Sequence, residues 1–317
     1  MNHQEDLIRL GSSELRISPL GIGTWAWGDR LFWGYGRGGF TDADLEGAYQ
    51  VSRSAGINFF DTAEIYGRGR SELLLGGFAR VAGDKVVVAT KFFPYPWRLR
   101  RAALVRALRG SLKRLRLDRV DLYQIHWHYP PVSIETWMAC LADVVEAGLA
   151  RTVGVSNYDP VQMHRAHTAL SERGVPLVSN QVHYSLLHRQ PEHNGLFDLC
   201  RELSVTLIAY SPLEMGLLTG KYTPEKPPPG IRGRRYRRQY LTQVQPLIAL
   251  LRELGEAYGG ATPAQVALNW VMCKGAVPIP GAKNVRQAEE NTGALGWRLS
   301  GDELAALDAA SEGLRKN

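Results

Sequence analysis

Asp61-Thr-Ala-Glu-Ile-Tyr66 follows the apolar run Ile57-Asn-Phe-Phe60 and precedes Gly67-Arg-Gly-Arg-Ser-Glu72. That order reads as a buried strand that ends, turns through glycines and feeds a helix with Ser71 as its N-cap. A carboxylate and a phenol therefore sit just past a strand end. Two further short runs end the same way: Val86-Val-Val-Ala-Thr90 runs into Lys91, and Val120-Asp-Leu-Tyr-Gln-Ile125 into His126. Polar side chains gathered at the tips of several parallel strands are how a barrel builds an active site.

Outward from that stretch the chain alternates. Apolar runs near 20–23, 57–60, 86–90, 120–125, 152–155, 177–181, 206–210 and 276–279 are separated by helical patterns near 42–55, 71–81, 100–115, 133–147, 159–173, 195–203, 243–258 and 263–273. Strands separated by helices imply a parallel sheet, and eight such units over about 290 residues favour a closed (β/α)8 TIM barrel in the α/β class. No linker divides the chain, so residues 1–317 read as one domain. Ile8-Arg-Leu10 and Leu15-Arg-Ile17 flank Gly11-Ser-Ser-Glu14, a hairpin expected to plug the barrel end away from the site. Thr41-x-x-Asp44 and Thr262-Pro-x-Gln265 mark helix starts, and Ser300-x-x-Glu303 opens an extra C-terminal helix.

Gly21-x-Gly23-x-x-Ala26 imitates a dinucleotide fingerprint. A true one turns straight into a helix, whereas Trp27-Gly-Asp-Arg-Leu-Phe-Trp-Gly-Tyr follows here, so an open dinucleotide-binding sheet is rejected. Trp25, Trp27 and Trp33 are expected to crowd the barrel mouth as an aromatic substrate wall, joined by Trp127 and His128 after the third tip. Each alone reads as ordinary packing.

The formal charge of +7 comes from 38 Lys and Arg against 31 Asp and Glu. One basic run, Arg98 to Arg119, carries the apolar stripe Leu104, Ala107, Leu108, Leu112 and Leu115 and reads as the solvated face of a helix. The other, Arg232-Gly-Arg-Arg-Tyr-Arg-Arg238, reads either as a loop closing over phosphates or as an exposed one. Neither resembles a nucleic-acid module, and no apolar run is long enough for a membrane span. Cys140, Cys200 and Cys273 are isolated and read as reduced core thiols, and no cluster has metal-ligand spacing. The acidic start, Met1-Asn-His-Gln-Glu-Asp6, lacks the marks of a secretory or transit signal, so the reading is a cytoplasmic protein, or the mature form of an organellar stromal one.

Four strand-tip residues of these types have a concrete use. A phenol is a weak acid at neutral pH, an adjacent ammonium favours its ionised form, a carboxylate orients the ammonium, and a histidine holds a carbonyl oxygen. Asp61, Tyr66, Lys91 and His126 thus make a tuned proton donor, with Tyr66 and His126 also meeting the substrate. In this reading Lys91 lowers the Tyr66 pKa.

Asp61-Thr-Ala-Glu-Ile-Tyr-Gly67, Ala89-Thr-Lys91, Asp121-Leu-Tyr-Gln-Ile-His126, Val153-Gly-Val-Ser-Asn157, Asn180-Gln181, Ala209-Tyr-Ser-Pro212 and Ile279-Pro-Gly281 together resemble the aldo-keto reductase superfamily, in order, from about Leu10 to about Asn291. The likeness is strongest to its plant and cyanobacterial branch. The resemblance implies reduction of an aldehyde or ketone to an alcohol by hydride transfer from NADPH, with Tyr66 as general acid. It implies that Thr24, Trp25 and Asp61 lie against the cofactor, and that Ser156, Asn157 and Gln181 hold the nicotinamide carboxamide. Tyr210 would stack on the nicotinamide ring, and Ser211, Pro212, Leu213, Gly216, Leu218 and Lys221 would wrap the pyrophosphate. Glu290 and Asn291 fit the adenine-binding pattern. Where many relatives place a Lys and an Arg on the 2′-phosphate, this chain has Gly281 and Gln287, with Lys283 and Arg286 as substitutes. NADP(H) is expected ahead of NAD(H), with a small carbonyl compound as partner. Two alternatives stand beside this: an NADP(H)-binding regulatory protein like the β-subunits of potassium channels, and an unrelated barrel enzyme that binds no nicotinamide.

Overall fold

The structure is a computed structural model that describes residues 7–36, 39–83, 85–229 and 236–314. Eight parallel strands run in chain order around the molecule: β3 (Ile22–Gly23), β4 (Phe59–Asp61), β5 (Val87–Phe92), β6 (Val120–Ile125), β7 (Ala150–Ser156), β8 (Leu177–His183), β9 (Thr206–Tyr210) and β10 (Val277–Pro278). The last meets the first. Gly21 N donates to Pro278 O and Gly23 N to Pro280 O, each at 3.0 Å, and Gly23 pairs with Gly281 in parallel. The ring is a (β/α)8 barrel, as expected.

Helices α1 (Asp42–Ser54), α2 (Arg70–Ala82), α3 (Arg101–Leu115), α4 (Ile134–Glu146) and α5 (Pro160–Ser171) each link one strand to the next. After β8 come the short α6 (Gln190–His193) and α7 (Leu196–Glu202); after β9 come α8 (Arg238–Ala257) and α9 (Pro263–Cys273). The barrel is followed by α10 (Val285–Thr292) and α11 (Gly301–Ser311). Among the described residues no helix is long and apolar enough to cross a membrane.

The period of two along each strand divides the core. Phe60, Val88, Tyr123 and Val155 face outward onto the helices. Phe59, Ala89, Leu122, Ile208 and Val277 face inward and fill the barrel. Its N-terminal end is closed by the hairpin β1 (Ile8–Arg9) and β2 (Arg16–Ile17), whose flanking Leu10 and Ile17 side chains join that inner cluster. Gly11 N donates to Thr206 Oγ1 at 2.7 Å, and a Cβ on Gly11 would stand 2.4 Å from Val178 O, so the plug seats only on a glycine.

Several expected boundaries move. The strand expected over 177–181 runs on to His183, and the helix expected from 243 starts at Arg238. Helix α2 begins at Arg70, because Gly67, Arg68 and Gly69 all take left-handed φ (54°, 56° and 87°) and complete the turn early. Ser71 is therefore not the N-cap. It lies buried inside the helix, where its Oγ meets Thr24 Oγ1 at 2.7 Å and Thr62 Oγ1 at 2.8 Å.

Candidate active site

At the C-terminal end of the barrel the inward faces turn polar. Asp61 ends β4, Lys91 lies next to the end of β5, Gln124 next to the end of β6, and Gln181 lies on β8. All four are buried. Lys91 Nζ donates to Asp61 Oδ2 at 2.5 Å and to Thr62 O at 2.9 Å, while Asp61 Oδ1 accepts from Gln181 Nε2 at 2.8 Å and Gln124 Nε2 at 3.4 Å. An ion pair can lie dry inside a barrel only when its remaining hydrogen-bonding capacity is satisfied in this way. Gln124 was not singled out in the sequence, although it shares the inward face of β6 with Leu122 and sits two residues before His126.

Tyr66 stands on the left-handed turn before α2, and a Cβ on Gly67 would come within 2.8 Å of the Gly28 backbone, so that turn is packed tightly. The phenol approaches Lys91 Nζ at 3.5 Å, with the ammonium 5.0 Å from its ring centre. Its pKa is raised well above 10, first by burial and then by the charge of Asp61. The expected lowering by Lys91 does not occur in this state, because the ammonium is engaged by Asp61 and held at the far limit of hydrogen bonding. Burial in turn pushes Lys91 below its ordinary value, against the pull of Asp61.

His126 meets Tyr66 edge-on at 5.8 Å. Burial, and then the charge of Lys91, hold its pKa well below the ordinary histidine value, so the ring is neutral. Its Nδ1 is buried without a hydrogen-bond partner, which leaves Nε2 for the cavity.

Asp61, Tyr66, His126 and Gln181 open into a cavity of about 810 Å³, with Lys91 and Gln124 buried and outside its lining. Trp25, Trp33 and Trp127 line it beside Tyr66 and His126. Trp27 does not: its ring is fully buried and Nε1 donates to Ala282 O at 2.9 Å, tying the loop after β3 to the loop after β10. A buried indole needs a partner for its N–H, and it found one inside rather than at the mouth. His128 is also outside the cavity, turned edge-on to Tyr158 at 5.9 Å. Thr24 and Leu218 are fully buried, Thr24 donating to Asp61 O at 2.9 Å and Leu218 packing in the core, so neither lines the space.

Ser156, Asn157, Gln181, Tyr210, Ser211, Pro212, Leu213, Gly216 and Lys221 line the cavity as well. Several of the groups expected to hold a carboxamide are already bonded within the protein. Ser156 Oγ donates to Gln181 O at 2.8 Å, and Asn157 Oδ1 accepts from the Tyr210 hydroxyl at 2.9 Å. Asn157 Nδ2 also donates to His126 O at 3.1 Å. Gly281, Lys283, Arg286, Gln287, Glu290 and Asn291, in the loop after β10 and along α10, also line the cavity. Gln287 Oε1 accepts from Lys283 N at 3.0 Å, so it shapes the loop. The Lys283 ammonium lies 5.2 Å from the ring centres of Trp33 and Phe40. Of the basic loop, residues 230–235 lie outside the described residues. His183, Asp29, Ile65 and Met215 also line the cavity and were not foreseen. His183 could have been, since it follows Gln181 by one period of the strand.

Residues 19–312 match the Aldo/keto reductase family. The chain is 46% identical over 311 residues to the chloroplastic pyridoxal reductase of Arabidopsis thaliana, covering 94% of this chain and 84% of that one. Among solved structures it is similar to a glycerol dehydrogenase from Gluconobacter oxydans (TM-score 0.85, 27% identity, 97% and 95% of the two chains). It is also similar to an aldo/keto reductase from Klebsiella pneumoniae in complex with NADP and acetate (TM-score 0.75, 29% identity, 98% of each chain).

Proposed function

The chain belongs to the aldo/keto reductase family and is an NAD(P)H-dependent oxidoreductase; from that premise we propose that it reduces an aldehyde on a planar aromatic ring to the alcohol with NADPH. Pyridoxal, the substrate named for the Arabidopsis relative, is the first to try. One observation carries the reading. Asp61, Tyr66 and His126, with Lys91 buried beside them, line one cavity with Trp25, Trp33 and Trp127, so a flat ring held by the indoles would present its carbonyl to the phenol.

The other half of the cavity fits NADPH by its donor set. Lys221, Lys283 and Arg286 bring three cations to the rim, and α10 points its N-terminus there, which favours an anion. Gly23 has no room for a side chain, since a Cβ would stand 2.7 Å from Ile279 O. Lys283 and Arg286 take the place of the lysine and arginine that Gly281 and Gln287 replace. Tyr210, Asn157 and Gln181 would face the nicotinamide end.

Bound NADPH supplies the hydride to the carbonyl carbon. Tyr66 supplies the proton from Oη to the carbonyl oxygen. Its raised pKa keeps the phenol protonated, which is the form a general acid needs. Lys91 acts when the proton leaves, because the phenolate then formed lies within 3.5 Å of the ammonium. Neutral His126 orients the carbonyl through Nε2, and Asp61 keeps the ammonium in place.

Purified protein with NADPH should lose cofactor absorbance on addition of pyridoxal or 4-nitrobenzaldehyde, and far more slowly with butanal. No turnover with either ring aldehyde, or a preference for butanal, would defeat the proposal. The pH dependence of kcat/KM follows from the two shifts. It should show no inflection near 6.5 from His126 and none near 10 from the Tyr66 phenol, and an alkaline fall below 10 would belong to Lys91, whose pKa burial lowers. An acid limb near 6.5 would contradict a neutral His126. Arg286→Ala should weaken NADPH roughly tenfold by loss of a charge-assisted contact and leave NADH unchanged. Equal losses for the two cofactors would remove Arg286 from the 2′-phosphate.

A further inference from the structure

We propose that His183 and Glu214 form a latch that holds the loop Ser211–Lys221 and the ring of Tyr210 in their binding shape, and that both are positioning residues for NADPH. The inference rests on the reading above that this loop wraps the cofactor.

The loop departs from ordinary backbone. Ser211, Glu214 and Met215 have φ of 52°, 47° and 53°, and Gly216 has 92°. Only the glycine adopts that region without penalty, so three strained residues within five positions must be held from outside. Glu214 is the holding point. Its side chain is buried, and Oε1 accepts both from His183 Nε2 and from Ser185 Oγ, the latter at 3.0 Å. Its backbone oxygen accepts from the Tyr236 hydroxyl at 3.3 Å. A glutamate is buried in this way only when it is paired. Glycine would take residue 214's backbone conformation freely, but it would leave His183 without this carboxylate.

The partner faces the cofactor wall. His183 ends β8 and pairs in register with Tyr210 on β9. Its ring lies parallel to Tyr210 at 5.3 Å and 13°, and to His188 on its own loop at 4.0 Å and 9°. The Tyr210 hydroxyl donates to Asn157, and Asn157 donates to the backbone oxygen of His126. One pair thus fixes the loop on one side and the stacking ring on the other. The end of the loop depends on it too: a Cβ on Gly216 would stand 2.9 Å from Lys221 Nζ, so the ammonium rests directly over the turn that Glu214 begins. If that turn relaxes, Lys221 moves.

The test uses Glu214→Gly, Glu214→Gln and His183→Phe in the full-length protein, with tryptophan-fluorescence titration of NADPH, steady-state kinetics and thermal melting. Glu214→Gly and His183→Phe should raise the Kd and KM for NADPH by about tenfold or more, the scale of a lost hydrogen bond to a charged group. The KM for the aldehyde should stay within about twofold, and kcat at saturating NADPH should fall less than about threefold, because the reacting groups are untouched. Glu214→Gln, which keeps an oxygen for His183, should recover most of the affinity. Glu214→Gly relieves a strained φ, so its melting temperature should not fall; if His183→Phe does not fold, Glu214→Gly decides alone. NADPH affinity unchanged in both variants overturns the latch. A fall in affinity that tracks a lower melting temperature, or that raises both KM values alike, also overturns it, since it marks a purely structural pair. A wild-type protein that binds no NADPH defeats the functional reading itself and the latch with it.

Discussion

Replacing Tyr66 with phenylalanine should lower kcat for aldehyde reduction by roughly 10²–10⁴-fold, the usual contribution of a positioned general acid. Affinity for NADPH should be retained. The hydroxyl is the only group lost, and among the described residues its hydrogen bond to a side chain is the long 3.5 Å approach from Lys91, so little stability depends on it. His126 cannot replace it, because its depressed pKa leaves no acidic proton at neutral pH. The measurement is single-turnover reduction at saturating NADPH, with a fluorescence titration to show that the cofactor still binds. A variant that turns over as fast as wild type would remove Tyr66 from the chemistry.

The second large effect falls on stability and activity together. Among the described residues, Lys91→Met leaves the Asp61 carboxylate buried with two amide donors, and Asp61→Leu leaves a fully buried ammonium with Thr62 O and the more distant Tyr66 hydroxyl. Breaking one member of such a pair costs about 3–5 kcal/mol. The double variant Asp61→Leu/Lys91→Met should cost clearly less than the sum of the two, since it strands no charge. The two variants without Lys91 should be inactive, because neither retains an ammonium to stabilise the phenolate, and Asp61→Leu should be severely impaired, because burial without the carboxylate favours the neutral amine of Lys91. Urea unfolding of the four proteins provides the cycle. Additive losses would show that the two charges do not depend on each other, and an active Lys91→Met would show that the phenolate needs no partner.

Some of this was legible in residue order. The alternation of apolar runs with helical patterns, and the absence of a helix after Gly21-x-Gly23, were enough for a barrel, because strand and helix periods are local properties. The capping pairs Thr41 with Asp44 and Thr262 with Gln265 sat where expected, since a cap involves residues three apart. Asp61, Tyr66, Lys91 and His126 could be gathered because each ends or follows a recognisable strand, and strand tips converge in any barrel. Trp25, Trp33 and Trp127 came from composition near those tips.

What residue order left open was direction and partnership. Trp25, Trp27 and Trp33 are alike in sequence, yet only Trp27 turned inward, because Ala282, 255 residues away, offered its carbonyl. Ser71 has the residue type of a cap, but left-handed backbone at Gly67 to Gly69 moved the helix start and sent its hydroxyl to Thr24 and Thr62. Glu214 carries no distinguishing signal in residue order, and the fold brings His183 and Ser185 to it. The sign of the Tyr66 shift also depended on depth. An adjacent lysine lowers a phenol in water, but here the phenol is buried and the lysine is already held by Asp61, so desolvation wins. Residue order was enough for the barrel, and for the place along it and the chemical types of the four side chains proposed to react, since these follow from local period and spacing. Tertiary structure alone decided which aromatic faces the cavity, which charges are paired and which protons are held, because those depend on contacts between residues far apart in the chain and on the water that packing removes.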